Sequence, residues 1–101
     1  MNAPRGPCDL HLHSHYSDGT MSPDEIADFA ASIGLSAVSI TDHDTMDGQA
    51  EALEAGARHG IEVVTGLEFS IEDGGASYHI LGYCVDHENE ELASKLVSLA
   101  A

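Results

Sequence analysis

Fixed positive charge is what this sequence has least of: 3 Lys plus Arg stand against 18 Asp plus Glu, for a formal charge of −15. Arg5, Arg58 and Lys95 are too few and too scattered to neutralise a duplex backbone or grip an anionic bilayer, which excludes a basic nucleic-acid or membrane interface. A phosphorylated substrate would have to be received by metal ions instead. Long apolar runs are also missing. The most apolar stretch, residues 29–40, is about 12 residues broken by serines and Gly34, against the roughly 20 that span a bilayer. The opening MNAPRGP leads into no apolar segment of the secretory kind, so a cytoplasmic location is the default expectation. Cysteine is scarce, and Cys8 and Cys84 are expected to be reduced core thiols rather than a disulfide. No repeat, low-complexity tract or linker divides the chain, so residues 1–101 are expected to form a single domain. With 43% hydrophobic residues it can fold around a core.

Histidine, by contrast, is plentiful and clustered. Of 7 histidines, His11, His13 and His15 fall together as H-L-H-S-H, with His43, His59, His79 and His87 following. Such clustering is a metal signal.

Residues 8–13 (CDLHLH) alternate with strand period, which sends His11 and His13 to the same side. Ser22-Pro23-Asp24-Glu25 reads as a capping box with proline in the first turn, opening a helix with apolar positions Ile26, Phe29, Ala30 and Ile33 and a stop at Gly34. Residues 35–41 (LSAVSIT) form a short buried strand. Asp47 is positioned to cap a second helix, from about Gly48 to His59, stopped by Gly60. A third strand over 61–65 is extended by 66–71, and the turn 72–75 leads to a fourth over 78–85. From Glu88 onward, Leu92, Leu96 and Leu99 mark an amphipathic helix that reaches the last residue. This βαβαβ order predicts a parallel α/β sheet whose strand C-terminal ends share one edge, bringing His13, His43, Glu68 and His79 toward each other.

Four blocks, DLHLHSHYSDGTMSPDE, GLSAVSITDHDTMDG, GIEVVTGLEFSIE and YHILGYCVD, resemble the PHP (polymerase and histidinol phosphatase) metal-dependent phosphoesterases in order and spacing. An isolated H-x-H would be weak; the series is specific. Within that family the likeness is greater to stand-alone enzymes acting on nucleotide phosphates, including nucleoside 3′,5′-bisphosphates and short RNA 5′ ends, than to polymerase-attached domains. The resemblance implies a distorted seven-stranded (βα) barrel with three divalent ions, Mn, Zn or Fe, at its C-terminal face. It implies that His11 and His13 hold one ion, that Asp18 and His43 hold another, that Glu68 bridges the first to a third, and that His79 ligates the third. Asp42 and Asp44 flank His43 as candidate groups to orient its ring. Such ions activate water for attack on phosphorus, so no side-chain nucleophile is needed.

Family barrels run to roughly 250 residues and supply a further His and an Asp-x-His pair from late strands. Those three ligands and the downstream phosphate-gripping cations are absent, so the chain is expected to be the N-terminal part of such a barrel. About four strands and three helices would then make an open sheet with fewer ions than the full site and a free edge that invites self-association. The expected function is hydrolysis of nucleotide phosphomonoesters. The alternatives are a weak or inactive domain that binds metal or a partner, and another metallohydrolase chemistry on the same ligands.

Blander readings stand beside these assignments. Asp18 is equally explained as the turn residue of Ser-Asp-Gly, Glu68 as a solvated charge, and His79 as an ordinary strand histidine that only its sequence block singles out. His15 is expected to lie outside the ligand set, His59 and His87 at the surface, and Ser14 and Tyr16 carry no assigned role.

Overall fold

The computed structural model describes residues 6–100, with the side chains of residues 98–100 excepted. Its elements are β1 (Cys8–Leu12), α1 (Pro23–Ser32), β2 (Ala37–Ile40), α2 (Gln49–His59), β3 (Glu62–Val63), β4 (Gly66–Asp73), β5 (Ala76–Tyr83) and α3 (Glu90–Ala100). Strands β1, β2 and β3 form a parallel sheet in that order, and β4 and β5 form a separate antiparallel pair. The α/β class, three helices and open sheets match expectation. The single strand predicted over residues 61–71 is instead two strands, and the predicted fourth strand turns back on the second of them.

The reason is local. β3 pairs with β2 for two residues, Ala37 with Glu62 and Val38 with Val63. The chain then shifts sideways so that β4 runs beside the loop after β2, with His43 and Glu68 joined in a parallel bridge. Two backbone bonds make that bridge: Glu68 N–H donates to Asp42 O at 3.1 Å and Asp44 N–H to Glu68 O at 2.9 Å. Gln49 staples the shift, donating from Nε2 to Ile40 O at 2.7 Å and accepting at Oε1 from Gly66 N–H at 3.1 Å. Gly66 is required here because a Cβ would collide with Ser39 Oγ and Thr41 Cγ2. The Gly74-Gly75 turn, both residues at positive φ, then reverses the chain into β5.

The capping box forms as predicted: Ser22 Oγ accepts from Glu25 N–H and Glu25 Oε1 from Ser22 N–H. Asp47 does not cap α2. The cap position is Gly48, without a side-chain bond, and the Asp47 amide turns back to Thr45 Oγ1. Ala27 and Ala30 of α1 meet Val38, Ala55 and Ile61, while Ile26 meets Ile40 and Ala52. Alanines of both helices, Ala27, Ala30, Ala52 and Ala55, therefore make up much of this core. A second centre joins Met46, Leu67 and Leu96, docking α3 beside β4. Phe29 and Ile33, predicted to face the core, are exposed, as are Cys8 and Cys84, which are free thiols and not core residues. No described helix is long and apolar enough to cross a membrane.

Candidate metal centre

Every residue assigned a ligand role lies at the end of a parallel strand, in the loop after it, or on the hairpin bound to that loop. His11 stands near the end of β1 and His13 just beyond it, while Asp18 returns to them through the tight loop ending at Gly19. Glycine is needed there, since a Cβ would run into the carbonyl oxygen of His13. His43 follows β2, Glu68 lies on β4 and His79 on β5. Because β5 pairs in antiparallel register, with Glu68 opposite Leu81, His79 lies across the hairpin from Ser70 and its ring reaches back to Glu68.

Glu68 is the hub. Its side chain is 6% exposed. Oε1 lies 2.8 Å from His11 Nε2 and 2.9 Å from His13 Nε2; Oε2 lies 2.6 Å from His79 Nδ1 and 3.8 Å from His43 Nδ1. The two oxygens thus address two different pairs of imidazoles. Asp18 spans the remaining side, with Oδ1 2.8 Å from His13 Nδ1 and Oδ2 3.2 Å from His43 Nε2. The rings of His13 and His43 meet edge to face at 4.2 Å between centroids.

These contacts fall into three sets whose donor atoms converge: His11, His13 and Glu68; His13, Asp18 and His43; His43, Glu68 and His79. Donors around one N/O-ligated ion at ~2.0–2.2 Å stand roughly 3–3.5 Å apart, so sets now closed by hydrogen bonds of 2.6–2.9 Å need open only slightly. The residues fit a metal centre on that ground and by chemistry: neutral imidazole and carboxylate are the donors that Zn, Mn and Fe take. His13, His43 and Glu68 each occur in two sets, so the sets share residues. A neutral imidazole coordinating through Nε2 keeps its proton on Nδ1, which for His13 points at Asp18. Asp18 thereby orients His13 as well as facing His43.

Charge follows geometry. Burial raises the Glu68 carboxyl, but the hydrogen bonds from His11, His79 and His13 outweigh it and bring the pKa down to about 2. Burial lowers the His13 imidazole, yet its bonds to Asp18 and Glu68 win and hold it above 6.5. The bond from His13 holds Asp18 below the usual carboxylate range.

Asp42 and Asp44, expected to orient His43, bond elsewhere. Asp42 is fully buried and accepts from Ser14 N–H at 2.6 Å, Ser14 Oγ at 2.6 Å and Ser17 Oγ at 2.9 Å, fixing the loop that carries His13 to Asp18. Asp44, held at φ +52°, accepts from Ser70 N–H at 2.8 Å and ties the loop after β2 to β4. Both therefore position the backbone. Ser14, Ser17 and Gln49 are the supports that sequence reasoning missed; only the small hydroxyls flanking the H-x-H offered any signal. His15 stays outside the cluster, against Tyr16. His59, half-buried rather than on the open surface, pairs with Asp24 on α1, which also bonds Arg58.

An α/β chain that gathers imidazoles and carboxylates where its parallel strands end has the architecture of a metallohydrolase centre. Comparison with known proteins specifies it further: the PHP domain family matches residues 9–101, and the chain belongs to that family. It is 42% identical over 91 residues to a 3′,5′-nucleoside bisphosphate phosphatase from Chromobacterium violaceum, covering 90% of this chain and 32% of that protein. It is 39% identical over 93 residues to a 5′-3′ exoribonuclease from Haemophilus influenzae, covering 92% and 34%. A solved structure from Bifidobacterium adolescentis, described as a metal-dependent phosphoesterase, superposes with a TM-score of 0.85 at 35% identity, covering 96% of this chain and 34% of that one. The chain spans about a third of the length of the curated relatives it matches.

Proposed function

We propose that this chain carries a divalent-metal centre formed by His11, His13, Asp18, His43, Glu68 and His79, and that the centre serves hydrolysis of phosphate monoesters of nucleotides. The observation that carries the reading is Glu68, a buried carboxylate whose two oxygens each face a different pair of imidazoles. The name of the Chromobacterium relative supports a nucleoside 3′,5′-bisphosphate as the substrate. Divalent ions at such a site supply Lewis acidity and make water a nucleophile near neutral pH. The protein's own residues do the rest. Glu68 ties two donor sets into one unit, Asp18 fixes the His13 and His43 rings, and Asp42 holds the loop between β1 and α1 so that neither ring drifts. Local cationic charge is essential, because a net charge of −15 repels a phosphate dianion.

A second reading, metal binding with little or no turnover, is favoured by the sharing of His13, His43 and Glu68 among the three sets. Phosphate release from a nucleoside 3′,5′-bisphosphate across a Mn²⁺ titration separates the two. The phosphoesterase reading expects slow release that rises with metal and disappears in Glu68→Ala. Release at the buffer rate from protein shown to hold Mn²⁺ leaves the binding module; release equal to wild type in Glu68→Ala removes Glu68 from the centre.

A further inference from the structure

A cleft of about 500 Å³ is lined by the loops after β1 and β2 and by helix α3, with His43 of the cluster in its lining. Its size lies within the ~300–1,000 Å³ typical of small-molecule sites. Tyr16, Met46, Ala93, Leu96 and Val97 supply the aromatic and apolar part of its lining. His43 belongs both to the cleft lining and to two of the donor sets, so the cleft borders the cluster.

Three features decide what the cleft can hold. Among the described residues no lysine or arginine lines it; the ionisable side chains of the lining are His43, His87, Asp44 and Asp47, with Glu51 behind the tyrosine hydroxyl. A second phosphate is therefore disfavoured there, and a neutral group rich in hydrogen-bond donors is favoured. The Tyr16 ring, moreover, is fixed before anything binds. Its hydroxyl donates to Glu51 Oε1 at 3.0 Å, its plane leans on the His15 ring at 4.6 Å, and Gly48 lies so close that a Cβ there would be 2.8 Å from Cδ2. A ring held on three sides and still 39% exposed offers a flat surface at little entropic cost. Ala93, Leu96 and Val97 of α3 add small and branched apolar side chains to the same lining, which suits a planar ring.

We propose that this cleft is the nucleobase subsite, with Tyr16 as a stacking platform for the base of a nucleotide whose phosphate is at the Glu68 cluster. The proposal rests on the phosphoesterase reading for the position of the phosphate, while the preference for a base comes from the cleft itself. Selectivity for nucleotides over other phosphate esters then resides in Tyr16 and the α3 wall, not in the metal ligands.

Calorimetric titration of the full chain in Mn²⁺ with adenosine 5′-monophosphate and with ribose 5-phosphate tests it. Wild type should bind the nucleotide about tenfold or more tightly, the scale of one base on one aromatic ring. That ratio should fall toward one in Tyr16→Ala, remain largely intact in Tyr16→Phe, and fall again in Ala93→Trp, which fills the cleft from an exposed lining position on α3. The Tyr16 ring resonances should shift with adenosine 5′-monophosphate but not with ribose 5-phosphate. Equal affinity for the two compounds in wild type, no binding of either, or a ratio unchanged in both Tyr16→Ala and Ala93→Trp overturns the subsite. Base preference without phosphate release keeps the subsite and sinks the catalytic reading; release without base preference does the reverse.

Discussion

Glu68 and His43 are bridge partners: the backbone of β4 is bonded directly to the loop that carries the histidine, so the hub carboxylate and one of its imidazoles are positioned by the same two hydrogen bonds. A small displacement of β4 therefore disturbs several donor distances together.

Metal stoichiometry should reflect the sharing of donors. The set His11, His13 and Glu68 is expected to retain about one divalent ion through dialysis, while the other two sets, which reuse His13, His43 and Glu68, fill only with metal in excess. Elemental analysis of dialysed protein checks this. Three retained equivalents contradict it, as does retention unchanged in a His11→Ala, His13→Ala double variant.

In metal-free protein the cluster should stabilise the fold within a bounded pH window. Glu68 has a folded pKa of about 2 against an ordinary 4.5, so its contribution is complete above 4.5 and is lost as pH falls toward 2. His13 is raised above 6.5, so its contribution is complete below 6.5 and is lost as pH climbs through the raised value. The two limits place the optimum between about 4.5 and 6.5. Metal saturation should move the optimum upward, because ligand imidazoles must be deprotonated. Melting temperature by circular dichroism against pH, with chelator and with Mn²⁺, reads both. Glu68→Gln should flatten the acid limb, and an apo optimum above pH ~7 contradicts the assignment.

Asp42→Ala should be among the more damaging substitutions. It strips a fully buried carboxylate from Ser14 N–H, Ser14 Oγ and Ser17 Oγ, leaving three donors unsatisfied. A cost of about 2–4 kcal/mol in urea unfolding is expected from the value of hydrogen bonds to a charged acceptor. Metal affinity should fall with it, since the freed loop carries His13 and Asp18. A loss under ~0.5 kcal/mol with unchanged metal binding contradicts the positioning role.

Self-association should follow from one side of the molecule. β1 lies at the edge of its sheet with one strand neighbour among the described residues, and Phe29 and Ile33 of α1 are 58% and 57% exposed close to it. An open strand edge beside exposed apolar side chains favours pairing with a second surface. Sedimentation velocity over a wide concentration range should show a rising average mass. Phe29→Glu should oppose the rise, and a monomer at every concentration counts against this surface.

The sequence by itself determined the local elements and the chemistry of the donors. Capping at Ser22 and Glu25, the glycine stop at Gly60 and the β-branched run at β2 all follow from interactions within a few residues, so they are legible without tertiary context. The identity of the donors is likewise a property of side-chain type and order. Tertiary structure decided where β4 goes. Nothing local in residues 61–71 tells one strand from two; the break depends on Gln49, 17 residues from Gly66, and on a glycine small enough to pass Ser39 and Thr41. It also decided which face of α1 is buried: Ala27 and Ala30 lie in the core, and Phe29 and Ile33 are left outside. The use of Asp42 follows the same logic. Asp42 adjoins His43 in sequence, but its carboxylate meets the Ser14 and Ser17 groups that only the folded chain brings near.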